Sequence, residues 1–225
     1  GDDVKGVSVL LETKKGAVAS LLKETPFDFV SDHAWIELLV LDKPFGIERY
    51  FGGGVVIPAS YKGTLGGYYA FCYLDTDDGL ALGREPFGYP KKYVKGDLQR
   101  VGRAATATAL RKDAGIAISV CMDEKPGRVL PDVKRYPHLL LQVIPSASST
   151  DVLLKRVILR DTGAVSQFDM VTGEGAFELL ETSLANELAW LDGAKAAGGL
   201  FYRGSFRSAL GKVLATIEKG PELRE

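Results

Sequence analysis

Two adjacent lysines, Lys91 and Lys92, close the segment Leu82-Gly83-Arg84-Glu85-Pro86-Phe87-Gly88-Tyr89-Pro90-Lys91-Lys92-Tyr93. An ordinary lysine, with a pKa of about 10.4, leaves roughly one amine in 2,500 uncharged at pH 7. Bringing that pKa to about 7 frees half of the amines and takes about 4.6 kcal/mol of environmental bias. A second cation nearby and apolar walls both push in that direction. A lysine so activated attacks a ketone and forms an imine, an electron sink that needs no added cofactor. Pro86 and Pro90 fix φ and lack an N–H, so the segment reads as a rigid loop that presents the lysines. Pro90 also drives Tyr89 toward an extended conformation. A bare Lys-Lys pair is more often a solvated surface pair, so the frame around it carries the chemical reading.

A second candidate is Glu37. It interrupts the nearly continuous apolar run Ala34-Trp35-Ile36-Glu37-Leu38-Leu39-Val40-Leu41. A carboxylate there is costly unless it has a partner or faces solvent. Arg84 presents a bidentate fork that suits a substrate carboxylate, or pairs structurally with a neighbour such as Glu85.

The frame Gly83-Arg84-Glu85, four residues including an aromatic, then Pro90-Lys91-Lys92 resembles the lysine loop of the acetoacetate decarboxylase family. Ile57-Pro58-Ala59-Ser60-Tyr61-Lys62-Gly63, Tyr73-Leu74-Asp75 and Pro137 to Pro145 match the same family. The resemblance runs from about Gly6 to Ile217. Acetoacetate decarboxylase is itself the standard instance of a lysine activated by a neighbouring cation, so the roles are carried over by position. They make Lys91 the imine-forming nucleophile and Lys92 the group that lowers its pKa. Glu37 falls on an active-site glutamate of the family. The family's second glutamate falls on Gly52, and Glu48, four residues earlier, is the nearest substitute. Arg84, Tyr89 and Glu48 are the implied substrate-facing residues. An arginine that acetoacetate-specific members carry before the first strand has Val4 near its position, with Lys5 adjacent.

The resemblance implies a carbon–carbon lyase without a cofactor, acting on a small keto acid and forming homo-oligomers. Decarboxylation of a β-keto acid is the leading expectation. Aldolase-dehydratase chemistry on a pyruvate-like α-keto acid is the alternative, favoured by the two departures. A non-catalytic binding module on the same fold is the third, because fold alone does not imply function.

Composition narrows the field. The 225 residues are 46% apolar and 25% charged with a net charge of -1, which gives no electrostatic footprint for nucleic acid. No apolar run approaches the roughly 20 residues of a membrane span, and no secretory signal is visible, so a cytoplasmic protein is expected. His33 and His138 stand far apart, so neither a metal site nor a Ser-His-Asp triad is expected. Cys72, in an apolar strand pattern, reads as a buried thiol.

The elements that must position these groups are short strands separated by turns. Gly6 to Thr13, Ala34 to Leu41, Val55 to Tyr61, Gly67 to Asp75, Val101 to Leu110, Gly115 to Met122, Pro137 to Pro145, Leu153 to Asp161, Ala176 to Leu180 and Leu200 to Phe206 read as strands. Tyr69, Phe71 and Tyr73 should share one face by the period of two. Gly52, Gly53 and Gly54 read as a turn, as does Thr172-Gly173. Gly16 to Lys23 reads as a short helix. Ser208 to Lys219 reads as a terminal amphipathic helix with Leu210, Val213, Leu214 and Ile217 on one face. The sum is a single β-dominated α+β domain over residues 1–225. The resemblance specifies it as antiparallel sheets or a barrel with a few peripheral helices.

Overall fold

The structure is a computed structural model that describes residues 2–42, 48–112, 114–125, 127–148, 151–164, 166–181, 186–207 and 209–220. Among them no helix is long and apolar enough to cross a membrane. The chain opens with β1 (Asp2–Glu12), α1 (Ala17–Leu22), β2 (Asp28–Phe29), β3 (His33–Asp42), β4 (Tyr50–Tyr61) and β5 (Thr64–Leu74). Then come α2 (Asp77–Phe87), β6 (Lys91–Tyr93), β7 (Lys95–Val101), β8 (Ala104–Arg111), β9 (Ala114–Met122), β10 (His138–Pro145) and β11 (Val152–Arg160). The last elements are β12 (Gln167–Leu179), a 3₁₀ turn (Ala189–Leu191), β13 (Lys195–Phe206) and β14 (Lys212–Lys219).

The strands join one sheet in the order β14-β11-β10-β5-β4-β3-β1-β13-β12-β9-β8-β7, with β2 on β4 and β6 on β5. The pairings are antiparallel except β5 with β10 and β5 with β6. The sheet curls so that β1 and β3 meet β9 and β8 across the interior. One core fills that interior. Val7, Val9, Ile36, Leu38, Ile116 and Ile118 are buried there. Alternation sends their neighbours to the opposite face. There Val4, Leu10, Trp35, Leu41, Val56 and Leu140 form a second core that β10, β11 and α2 help to cover. Glu37 lies on this second face.

Several sequence expectations are corrected. Gly52, Gly53 and Gly54 lie inside β4, not in a turn. A Cβ on Gly53 would stand 1.9 Å from the Glu37 carbonyl oxygen, and one on Gly54 would stand 2.1 Å from that of Phe71. The glycines serve close backbone approach to both neighbouring strands. A bulge against Val55 and Val56 breaks the period of two in β5. Tyr69 therefore joins the second core with Cys72, and Phe71 and Tyr73 pack with the first. Thr172 and Gly173 continue β12 rather than turn.

The expected C-terminal helix is a strand. Residues 212–219 pair with β11, Val213 opposite Ile158 and Ala215 opposite Val157. Leu210 is 91% exposed, so the helical stripe is not what is buried. β11 would otherwise be an edge with unpaired N–H and C=O groups, and Val213, Thr216 and Ile217 suit a strand.

Candidate active site

The segment read as a rigid loop is in large part α2. Asp77 and Asp78 sit in its first turn, where the helix dipole favours carboxylates. Pro86 falls in the last turn and Gly88 ends the helix in the left-handed conformation, φ 78°, which glycine adopts without strain. The Gly88 N–H donates to the Arg84 carbonyl at 2.9 Å. The chain then reverses, and β6 runs parallel to β5 with Lys91 opposite Cys72 and Lys92 opposite Tyr73.

That register separates the two lysines. Lys91 faces the second core. Its Nζ donates to the Gly79 carbonyl at 2.7 Å and lies 5.8 Å from the Tyr89 ring centroid. Gly83 admits the side chain: a Cβ there would stand 2.3 Å from Lys91 Cε. Burial draws the Lys91 pKa below its ordinary value; Cys72 opposes the shift and Arg160 adds to it. Lys92 points to the other face, where its Nζ pairs with Glu187 at 2.7 Å and lies over Phe71. Lys92, expected as the perturbing cation, thus emerges on the face opposite Lys91, and burial is the largest cause of the Lys91 shift. On a strand, adjacent side chains cannot share a face.

Glu37 is buried, 4% exposed, and partnered. Its Oε2 accepts from Arg135 Nη1 at 3.0 Å and from Ser8 Oγ at 3.3 Å. Arg135 comes from the long connection before β10 and stacks over Trp35, 4.8 Å from a ring centroid. Glu37 and Lys91 line one cavity of about 90 Å³, walled by Tyr69, Cys72, Tyr89, His138, Arg160 and Tyr202 among others. Cys72 is a buried free thiol pushed up to about 11 by burial, and so stays protonated.

Tyr89 is the third expected residue on this cavity. Its hydroxyl accepts from Arg160 Nη1 at 3.2 Å and meets His138 Nδ1 at 2.7 Å. Arginine only donates, and the direction of the Tyr89–His138 bond follows the imidazole tautomer. Burial first, then Arg160 and Arg135, lowers the His138 pKa to about 3, so the ring is neutral.

Arg84 and Glu48 are placed elsewhere. Arg84 is exposed on α2, in an outer groove with Glu85, Val143 and Pro145. Glu48 lines a surface hollow with Asp75, Asp77 and Asp78. Neither lines the lysine cavity. Gly52, where the family's second glutamate falls, has little room for a side chain, since a Cβ would stand 2.8 Å from the Tyr73 carbonyl oxygen.

Sequence reading missed Arg160, His138 and Arg135. The available signals were weak: an arginine ending an alternating strand, and Arg135-Tyr136-Pro137-His138 opening an apolar one. No group of three or more His, Cys, Asp or Glu side chains that could hold a metal ion occurs among the described residues.

The class defined here is a curled, largely antiparallel sheet with a buried lysine and a buried carboxylate on one cavity. The sequence profile of the acetoacetate decarboxylase (ADC) family matches residues 2–217, and the chain belongs to that family. It is 32% identical to acetoacetate decarboxylase of Paraburkholderia phytofirmans over 66% of this chain and 60% of that enzyme. It is 25% identical to acetoacetate decarboxylase 1 of Bradyrhizobium diazoefficiens over 91% and 82% of the two chains. The solved acetoacetate decarboxylase of Legionella pneumophila superposes with a TM-score of 0.81 at 21% identity, over 96% of this chain and 88% of that one. The enduracididine biosynthesis enzyme MppR, solved with pyruvate, superposes with a TM-score of 0.80 at 14% identity, over 96% and 90%.

Proposed function

We propose that the protein is a lysine-imine enzyme acting on a short keto acid. One observation carries this: Lys91 lines a small, largely apolar cavity that also holds Glu37, and burial holds its pKa below the ordinary range. The neutral Nζ attacks the ketone carbon, and the carbinolamine loses water to give an iminium. In the decarboxylase reading, the bond to the carboxylate breaks and its electron pair moves into the iminium. Carbon dioxide leaves and an enamine remains. Glu37 is the nearby acid–base group for protonating the enamine, a role that accelerates such steps by about 10²–10⁴. Hydrolysis returns the ketone and the free amine. Tyr89 walls the cavity against the lysine. The family and the decarboxylases named among its relatives support this reading.

A second reading keeps the carboxylate. The enamine of a pyruvate-like acid attacks an aldehyde, and water is eliminated. Gly52 in place of the second glutamate favours it. So does the structural neighbour MppR, which has also been solved with the condensation product of pyruvate and imidazole 4-carboxaldehyde.

Borohydride trapping tests both. The protein is incubated with acetoacetate or with pyruvate, reduced, and mapped by peptide mass spectrometry while carbon dioxide is recorded. An adduct on Lys91 with carbon dioxide from acetoacetate supports decarboxylation. An adduct without carbon dioxide supports the carboxylate-retaining reaction. Absence of any adduct from folded protein leaves a different keto substrate or the binding-module reading.

A further inference from the structure

Tyr202 lies on β13, is 3% exposed, and lines the lysine cavity. Several buried side-chain polar atoms of the described residues lack a hydrogen-bond partner. The Tyr202 hydroxyl is the one among them that belongs to a residue of this cavity. A buried donor left without a partner is costly and uncommon, so its position calls for an account.

The backbone explains how the phenol reaches the site. Tyr202 pairs with Gly6 of β1, and Gly6 pairs with Leu39 of β3. A Cβ on Gly6 would stand 2.1 Å from Tyr202 Cζ and 2.3 Å from its hydroxyl oxygen. The ring therefore lies across β1 where a glycine leaves room for it. Phe168 packs on the ring at 5.3 Å between centroids. The hydroxyl leans toward Glu37 without closing a hydrogen bond of ordinary geometry. Arg135 and Ser8 both hold Glu37 by Oε2. Burial first, then the Glu37 charge, keeps the phenol pKa well above its ordinary value, so the hydroxyl retains its proton.

The strand order β5-β4-β3-β1-β13, with β6 on β5, places Lys91 and Tyr202 on opposite sides of Glu37 in the sheet. The Tyr89 hydroxyl is engaged by Arg160 and His138. The Tyr202 hydroxyl is a donor with no such engagement.

We propose that Tyr202 is a further catalytic residue: its hydroxyl donates a hydrogen bond to the ketone oxygen of the keto acid as Lys91 attacks. This rests on the imine reading above. The Nζ lone pair forms the bond to the ketone carbon, and the carbonyl π pair moves onto the oxygen. The phenol stabilises the charge that develops there and keeps its own proton. A proton of the amine then passes to that oxygen, which completes the neutral carbinolamine. A second carboxylate beside Glu37 is disfavoured, so the oxygen that the phenol meets is the ketone's and not the acid's.

Tyr202→Phe tests this because it removes the hydroxyl alone. Acetoacetate and its methyl ester are mixed with each protein and quenched with excess borohydride at successive times, and the adduct on Lys91 is counted. Tyr202→Phe is expected to keep the wild-type melting temperature or exceed it, since the lost hydroxyl had no partner. Its rate of adduct formation is expected to fall tenfold or more, by the same factor for acid and ester, with the pH of half-maximal trapping unchanged. An unchanged rate in the folded variant overturns the proposal. A fall confined to the acid overturns it too, because the phenol then serves the carboxylate, and so does a pH shift that accounts for the whole fall. Should Tyr202→Phe not fold, Gly6→Ala, which pushes the phenol aside, is read by the same criteria. Adduct on Lys91 in wild-type protein keeps the imine reading whatever the variants do. If wild-type protein traps neither compound, the proposal falls for these substrates together with the imine reading of them.

Discussion

Gly83 and Lys91 touch across the reversal between α2 and β6, so closely that a Cβ on the glycine would stand 2.3 Å from the lysine Cε. The lysine stem occupies the space that a side chain on the helix would fill. Gly83→Ala should gain up to about 1 kcal/mol of helix propensity. It should also displace the amine from the Gly79 carbonyl. The expected outcome is a protein of near-unchanged melting temperature whose rate of imine trapping falls by tenfold or more. Calorimetry and borohydride trapping on the same preparation check it.

The alternation of β6 makes a prediction about Lys92. Its ammonium pairs with Glu187 on the opposite face. Lys92→Ala should therefore leave the pH of half-maximal trapping at Lys91 in place. Arg160→Gln should move that pH upward, because Arg160 helps hold the amine pKa down. An upward shift in Lys92→Ala as large as that in Arg160→Gln would show that the second lysine acts through space despite its position.

The buried pair Glu37–Arg135 predicts an asymmetry between its two partners. Arg135→Leu leaves a buried carboxylate without its cation, a change that costs about 3–5 kcal/mol. Glu37→Gln keeps an acceptor oxygen for Arg135 and Ser8 and should cost less than half as much. It should nonetheless slow turnover of the keto acid by about 10²–10⁴, the usual size of acid–base assistance. Urea unfolding and carbon dioxide release measure the two effects separately.

His138 predicts acid sensitivity. Its pKa falls from about 6.5 to about 3 on folding. The unfolded chain then takes up a proton that the folded chain refuses. The contribution to stability is complete above about pH 6.5 and is lost as pH falls toward 3. Its full size is on the order of 5 kcal/mol. His138→Gln should lose stability less steeply over that window than wild type, though it starts lower at pH 7 through the weakened Tyr89 contact. Parallel slopes in denaturant titrations from pH 7 to pH 4 would contradict it.

Much of the fold was legible because strands announce themselves locally. The alternation of β1 and β3, the apolar run of β10 and the hairpin of β8 and β9 all lie where their residues suggest. Glu37 could be singled out because a carboxylate in an apolar run is conspicuous. Arg160 and His138 could not. Each is a polar residue at a strand end, and only the pairing of β10 with β5 and with β11 carries them to the lysine. The helix expected over the last residues failed for a related reason: a stripe at helical spacing cannot report that β11 has an edge to fill.

By itself the sequence determined that a lysine pair follows a proline-rich aromatic segment, that one carboxylate interrupts an apolar strand, and that most of the chain is strand. These are local properties of spacing and side-chain chemistry. The tertiary structure alone decided that Lys91 turns into the cavity and Lys92 away from it, and that Arg160 rather than Arg84 stands beside the amine. Both outcomes follow from strand parity and from long-range pairing, which fix on which face a side chain emerges and which distant side chains it meets.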